Sequence, residues 1–241
     1  GRAALDATVA QALSRNIDLA RSAIAVNRAL YQARLISADL VPSFSGDASA
    51  QASRTLDSGR ATPTWQQSWQ GGINVSYELD LWRRVRDAAD AGEWENRATI
   101  EDLASARLTL INNVVSGWFY LAYTDQAIGV MEGAIARYER LVELARSKFT
   151  LGKSDSLEPL QAEQSLLQAR NDLASLRAQR AEAVQTMRNL LNLRPGEEMA
   201  HETADILGIP SVAVDLNVPL AALSARPDIH AAEARLQSAF K

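Results

Sequence analysis

The chain has 241 residues, 47% hydrophobic and 22% charged, and its 25 basic and 29 acidic side chains leave a net charge of −4. This is the composition of a packed protein, and the basic residues are scattered rather than clustered, which argues against a nucleic-acid surface. With no cysteine in the sequence, disulfides, zinc–thiolate sites and cysteine nucleophiles are excluded.

The nearest candidate for a membrane helix, Gly117 to Tyr123, falls far short of the roughly 18 apolar residues that one needs. The N-terminal GRAALDATVAQ lacks the charged-then-apolar layout of a signal segment and reads as the start of a cut or processed chain.

Taken in order, the first helical pattern runs from Leu5 to Leu40, with Asn16 as an interruption and Pro42 marking its end. A strand pattern follows, in which Phe44, Gly46, Ala48, Ala50 and Ala52 alternate with Ser43, Ser45, Asp47, Ser49, Gln51 and Ser53. Asp57-Ser58-Gly59 and Pro63 supply turn chemistry. From Trp65 to Leu81 the odd positions are mostly apolar and the even ones mostly polar, so a second long strand is expected there. Two such strands joined by a polar loop make an amphipathic hairpin.

No proline interrupts residues 84 to 149, and a 3-4 spacing of apolar residues runs from Ile100 to Phe149, lapsing at Arg107, Gly117 and Thr124. At 1.5 Å per residue this helix would be on the order of 100 Å long, which points to a coiled coil or another elongated assembly. Gly152 breaks it. Asp155-Ser156-Leu157-Glu158 has the form of a capping box, and Pro159 falls in the first turn of the next helix. That helix runs to about Asn192, with a seam of Leu166, Ala169, Leu173, Leu176, Ala183, Met187 and Leu190 that lapses at Arg180. A short loop between long helices makes them antiparallel neighbours.

Residues 194 to 225 are less periodic and proline-rich, and read as an extended connector. The chain then repeats itself. Ala12-Leu13-Ser14 and Asp18-Leu19 recur as Ala222-Leu223-Ser224 and Asp228-Ile229, which predicts a second copy of the unit cut off at Lys241. Arg226-Pro227-Asp228 reads as a helix start.

Four segments in this order carry a resemblance: SYELDLWRRVRDAADAG (76–92), KFTLGKSDSLEPLQAEQSLLQAR (148–170), TMRNLLNLRPGE (186–197) and ARPDIHAAEARL (225–236). Together they resemble the outer-membrane efflux proteins, the TolC-like family, in the branch serving resistance–nodulation–division pumps. The resemblance implies a mainly α fold, with long antiparallel helical hairpins of a periplasmic α-barrel and one amphipathic β-hairpin contributing to a shared transmembrane β-barrel. It also implies a homotrimer whose subunits carry two such units, a periplasmic adaptor as partner, an inner-membrane pump engaged indirectly, and outer-membrane lipid around the barrel. Family members often carry an aliphatic residue at Pro159 and a hydroxyl residue at Asp155, so the tip here is expected to have its own adaptor preference. Lipid anchoring through an N-terminal cysteine is frequent in this branch; such an anchor was either removed with a missing N-terminus or never existed.

The segments expected on this basis are 1–41, a first tunnel helix; 42–83, the membrane hairpin; 84–193, a long helical hairpin with its tip near 149–157; 194–225, the connector; and 226–241, the start of a second repeat. The adaptor-contact residues implied are Phe149, Leu151, Gly152, Asp155 and Leu157. Trp65, Trp69 and Tyr77 are the membrane-interface aromatics, and Gln70, Asn74, Glu78 and Asp80 the lumen-facing polar residues. Each has a plainer alternative: an aromatic strand face packed on a soluble core, a capped turn with no partner, or a solvated acidic face. His201 and His230 are isolated, and no phosphate loop, nucleophile elbow or metal motif occurs, so neither catalysis nor a cofactor is expected. A periplasmic adaptor and a soluble coiled-coil module remain the rival readings.

Overall fold

The computed structural model describes residues 2–55, 64–199, 205, 206, 208 and 224–241. The predicted turn at 57–59 with Pro63, His201, most of the connector and the repeat residues Ala222 and Leu223 lie outside the described residues. In chain order the elements are α1 (Arg2–Arg15), α2 (Ile17–Ser37), a short 3-10 turn (Ala38–Leu40), β1 (Ser43–Thr55), β2 (Thr64–Ser76), α3 (Arg84–Thr150), α4 (Leu157–Leu190) and α5 (Pro227–Ala239). Two compact units are present, one formed by Gly1–Ala23 with Leu103–Ser224, the other by Ile24–Asp102 with Ala225–Lys241.

The first unit is built on the antiparallel pairing of α3 with α4, joined by α1. Ala12, Leu110, Val114, Trp118, Leu121, Ala183, Met187 and Leu191 form its core. A smaller cluster of Val142, Ala145 and Ala162 closes the far end of the hairpin. Two of the expected seam lapses are in fact points of tight packing. At Gly117 a Cβ would come within 2.6 Å of Met187 Sδ, so the missing side chain is what admits Met187. Thr124 is fully buried, with its hydroxyl donating to the Leu121 carbonyl at 2.8 Å.

The break at Asn16 has a double purpose. Its Oδ1 accepts from the Leu19 amide at 3.0 Å, capping α2, while its Nδ2 donates to the Leu190 carbonyl at 2.9 Å. One amide thus satisfies an orphan donor at one helix start and an orphan acceptor at the end of α4. The end of α4 closes in the same way as that of α3. Asn192 stands at φ 49°, with Leu193 donating to the Arg188 carbonyl at 3.0 Å.

In the second unit the helix contacts are lined by small residues. Ala33, Ala89, Ala98, Ala231 and Ala234 are buried. A Cβ on Gly92 would lie 3.3 Å from Ala33 Cα, which shows how closely α2 approaches α3 there. On α5, Ser238 donates to the Ala91 carbonyl at 3.0 Å, and Arg235 binds Asp102. As expected, α5 starts at Pro227, with Asp228 in its first turn. The starts of α2 at Ile17 and α5 at Pro227 stand at the offset of the short sequence repeat.

The sheet is the antiparallel pair β1–β2. The predicted second strand is too long, because β2 ends at Ser76 and residues 77–80 have no ladder partner. Ser43 pairs with Ser76, and the next residue back on β1 is Pro42, which has no amide to donate. The strand stops where its partner does.

Candidate functional site

Three features carry the expected functional residues: the hairpin faces, the strand-to-helix junction at the start of α3 and, at the far end of that helix, the α3–α4 tip. In the hairpin, the register sorts side chains by polarity across both strands. Phe44 pairs with Val75, Gly46 with Ile73, Ala48 with Gly71, Ala50 with Trp69, and Arg54 with Trp65. The other face carries Ser45 opposite Asn74, Asp47 opposite Gly72, Ser49 opposite Gln70 and Gln51 opposite Ser68. Trp69 and Ile73 are 80% and 84% exposed, so the apolar face has no cover in this chain. Gln70 and Asn74 lie on the polar face, as expected. Trp65 and Trp69 lie on the apolar face, and the Arg54 guanidinium sits 5.5 Å from the centre of the Trp65 ring.

Tyr77, Glu78 and Asp80 lie beyond β2, so their expected placement on its two faces is corrected. Glu78 takes a forked contact from Arg84, with Nη2 at 2.7 Å and 2.6 Å from its two carboxylate oxygens. Asp80 accepts from the Val85 and Arg86 amides at 3.1 Å and 2.9 Å, so it caps α3. The turn between them places Arg83 at φ 66°, a left-handed conformation that favours glycine. It leaves Trp82 85% exposed beside the exposed Leu79 and Leu81. Trp82 falls within the 76–92 sequence segment at an even position, out of phase with the apolar odd positions of the strand alternation.

At the tip, α3 ends at Thr150 with Gly152 at φ 68°. The Gly152 amide donates to the Phe149 carbonyl and that of Lys153 to the Lys148 carbonyl, both at 2.9 Å, the bond pair of a Schellman ending. Asp155 Oδ1 accepts from the Leu157 and Glu158 amides. The expected capping box is only half formed, since the Glu158 carboxylate turns to the Lys148 ammonium at 2.9 Å instead of back to the cap. That contact holds Glu158 below the usual glutamate range. Phe149, Leu151 and Leu157 are all exposed, Leu151 by 69%. The five expected tip residues therefore come together on one turn, with Gly152 and Asp155 shaping it and the other three presenting apolar surface.

Among the described residues, no helix is long and apolar enough to cross a membrane, a fact that says nothing of the strands. No group of side chains among them is arranged to hold a metal ion.

A 67-residue helix returning on a 34-residue one, preceded in the chain by a strand pair with one apolar and one polar face, is a fold of the TolC-like helical-barrel class. Residues 8–193 match the outer membrane efflux protein family, and the chain belongs to that family. It is 44% identical over 239 residues to the toxin and drug export protein A of Aggregatibacter actinomycetemcomitans, covering 99% of this chain and 52% of that protein. It is 26% identical over 231 residues to the cation efflux system protein CusC of Escherichia coli strain K12, covering 96% and 50%. Among solved structures, CusC superposes with a TM-score of 0.77 at 25% identity, covering 98% of this chain and 54% of that one. The outer-membrane channel OprN superposes with a TM-score of 0.80 at 24% identity, covering 98% and 53%, a likeness of fold alone. The chain spans about half the length of the curated relatives it matches.

Proposed function

We propose that this chain is one repeat of an outer-membrane exit duct, a trimeric channel that receives solutes from an inner-membrane pump through a periplasmic adaptor. The observation that carries the reading is the register of β1 on β2, which gives the hairpin an apolar face for lipid and a polar face for a water-filled lumen. An isolated hairpin leaves open edges that lipid does not tolerate, so it must close into a barrel with other copies. Exposed apolar side chains on the helices, such as Ile24, Leu35, Val130, Leu141 and Leu144, fit further helix–helix contacts in such an assembly.

Residues 1–41 and 84–193 serve as tunnel helices and 42–83 as the membrane segment. Residues 194–225 act as connector, and 226–241 open the second repeat. Trp65, Trp69, Tyr77 and Trp82 serve as interface aromatics, and Gln70 and Asn74 line the lumen. Transport through the duct is passive, so the chain performs no catalysis and takes no cofactor. The names of its relatives range from drug and toxin export to cation efflux.

The tip is the adaptor contact. Its test is binding of the trimeric full-length protein to its periplasmic adaptor with Leu151→Glu and Leu157→Glu, which leave Gly152 and the Asp155 cap in place. Affinity should fall at least about tenfold, the loss of roughly 1.4 kcal/mol. Unchanged affinity with both variants would remove the tip from the partner surface.

A further inference from the structure

We propose that the α3–α4 hairpin has a compliant waist at Gly129 and Gly133, where its tip bends as a separate unit against the main core. Four glycines lie within α3, and they are of two kinds. A Cβ on Gly92 would crowd Ala33, and one on Gly117 would crowd Met187, so packing requires those two. A Cβ on Gly129 or Gly133 would meet nothing within 4 Å, and neither glycine has a positive φ. Neither contact within the chain nor backbone geometry asks for glycine at these positions. What remains is its effect on the helix, since glycine is the poorest helix former after proline and gives up the most backbone freedom.

Packing is thinnest at the same level. The main core reaches Leu121 and the buried Thr124 on α3, and the tip cluster begins at Val142. None of residues 125–141 is buried in this chain, a stretch of roughly 25 Å at 1.5 Å per residue. Ile128, Met131, Ala134 and Ile135 are half-buried there. The ion pairs that cross to α4, Glu132 with Arg177 and Glu139 with Arg170, are about half exposed and individually weak. Two weak helix formers therefore fall where little buried surface holds the helix, and local opening costs least in such a place.

The bend itself does not depend on what the tip binds. Its use rests on the reading of the tip as the adaptor contact, because a tip that tilts on this waist meets a partner without disturbing the packing of Leu121 and Met187 in the main core.

The test is hydrogen exchange of the full-length trimer, followed by mass spectrometry. Amides of 125–141 should exchange at least about tenfold faster than those of 106–124 and 142–148. Gly129→Ala combined with Gly133→Ala should slow that stretch by roughly tenfold and leave its flanks unchanged. In parallel, in a cysteine-free background, spin labels on Lys153→Cys at the tip should give broad distances between protomers that narrow in the double alanine variant. Labels on Glu182→Cys, next to Ala183 of the main core, should stay narrow in both. Uniform exchange along the hairpin, or a tip distribution untouched by the two alanines, would overturn the proposal. So would a double variant that no longer trimerises, since the glycines would then be seats for a neighbouring helix. These readouts need no adaptor, so their failure is separate from failure of the tip as the adaptor contact.

Discussion

The Arg146 guanidinium lies 2.6 Å from a carboxylate oxygen of Glu163, and this pair, like Lys148 with Glu158 nearer the tip, is opposite in sign to the pairs farther back along the same two helices. Going back from the tip, Glu139 pairs with Arg170 and Glu132 with Arg177, both at 2.8 Å, and then Asp125 with Arg180. The α3 partners recur at every seventh residue, the spacing of a coiled-coil flank. Sliding α3 past α4 by one heptad would set Arg146 against Arg170 in one direction, or Glu139 against Glu163 in the other. The sign reversal therefore penalises both slips and fixes the hairpin's register.

Removing that reversal should be measurable. Arg146→Glu is expected to cost about 0.5–1 kcal/mol, and adding Glu163→Arg should recover most of it, because these pairs are half exposed and individually weak. A double-mutant cycle by urea unfolding checks this. Additive effects would mean the pair contributes nothing to register.

Asn16 joins two helix ends through one side chain. Asn16→Ala should cost about 1–3 kcal/mol by removing the α2 cap and stranding the Leu190 carbonyl. Asn16→Asp keeps the cap acceptor but turns a carboxylate toward that carbonyl, so it should not rescue. Thermal unfolding of the two variants separates capping from the cross-helix bond.

The Gly117–Met187 contact predicts non-additivity. Gly117→Val should destabilise by about 1–3 kcal/mol, since its side chain enters the space of a fully buried thioether. In a Met187→Ala background the same change should cost clearly less, because the obstructing atoms are gone. Equal costs in both backgrounds would deny the contact.

Acid should weaken the tip and the α4 end together. Glu158 and Glu197 both titrate below their usual range; for Glu158 the leading cause is Lys148 and for Glu197 it is Arg15. A carboxyl depressed in the folded state contributes stability above its unfolded pKa, near 4, and loses it as pH falls through the folded value. Stability should therefore decline below about pH 4–5, and Glu158→Gln and Glu197→Gln should each flatten that decline. A pH series of melting curves would show it.

Much of the architecture is legible in the residues themselves. Asn16, Pro42, Gly152 and Pro227 mark helix ends through backbone chemistry that acts locally, and the alternation of Phe44 to Ala52 against the odd positions of β2 gives the hairpin faces. What is hidden depends on pairing across elements. Gly117 and Thr124 look like gaps because an apolar count cannot see how closely Met187 approaches. The alternation through Leu81 overruns the strand because the partner, not the pattern, decides where pairing stops. Asp80 reads as one more polar strand position until α3 offers it two free amides. The ion-pair ladder needs the α3–α4 register, which no single segment contains.

The most direct test of the account is spin-label accessibility scanned residue by residue along β2 of the full-length protein in lipid. The account predicts a period-two alternation, with oxygen reaching Trp65, Trp69, Ile73 and Val75 from the bilayer and a water-soluble nickel reagent reaching Gln66, Ser68, Gln70 and Asn74. Accessibility to the nickel reagent at both sets of positions, with no alternation, would contradict a membrane-spanning hairpin and with it the duct.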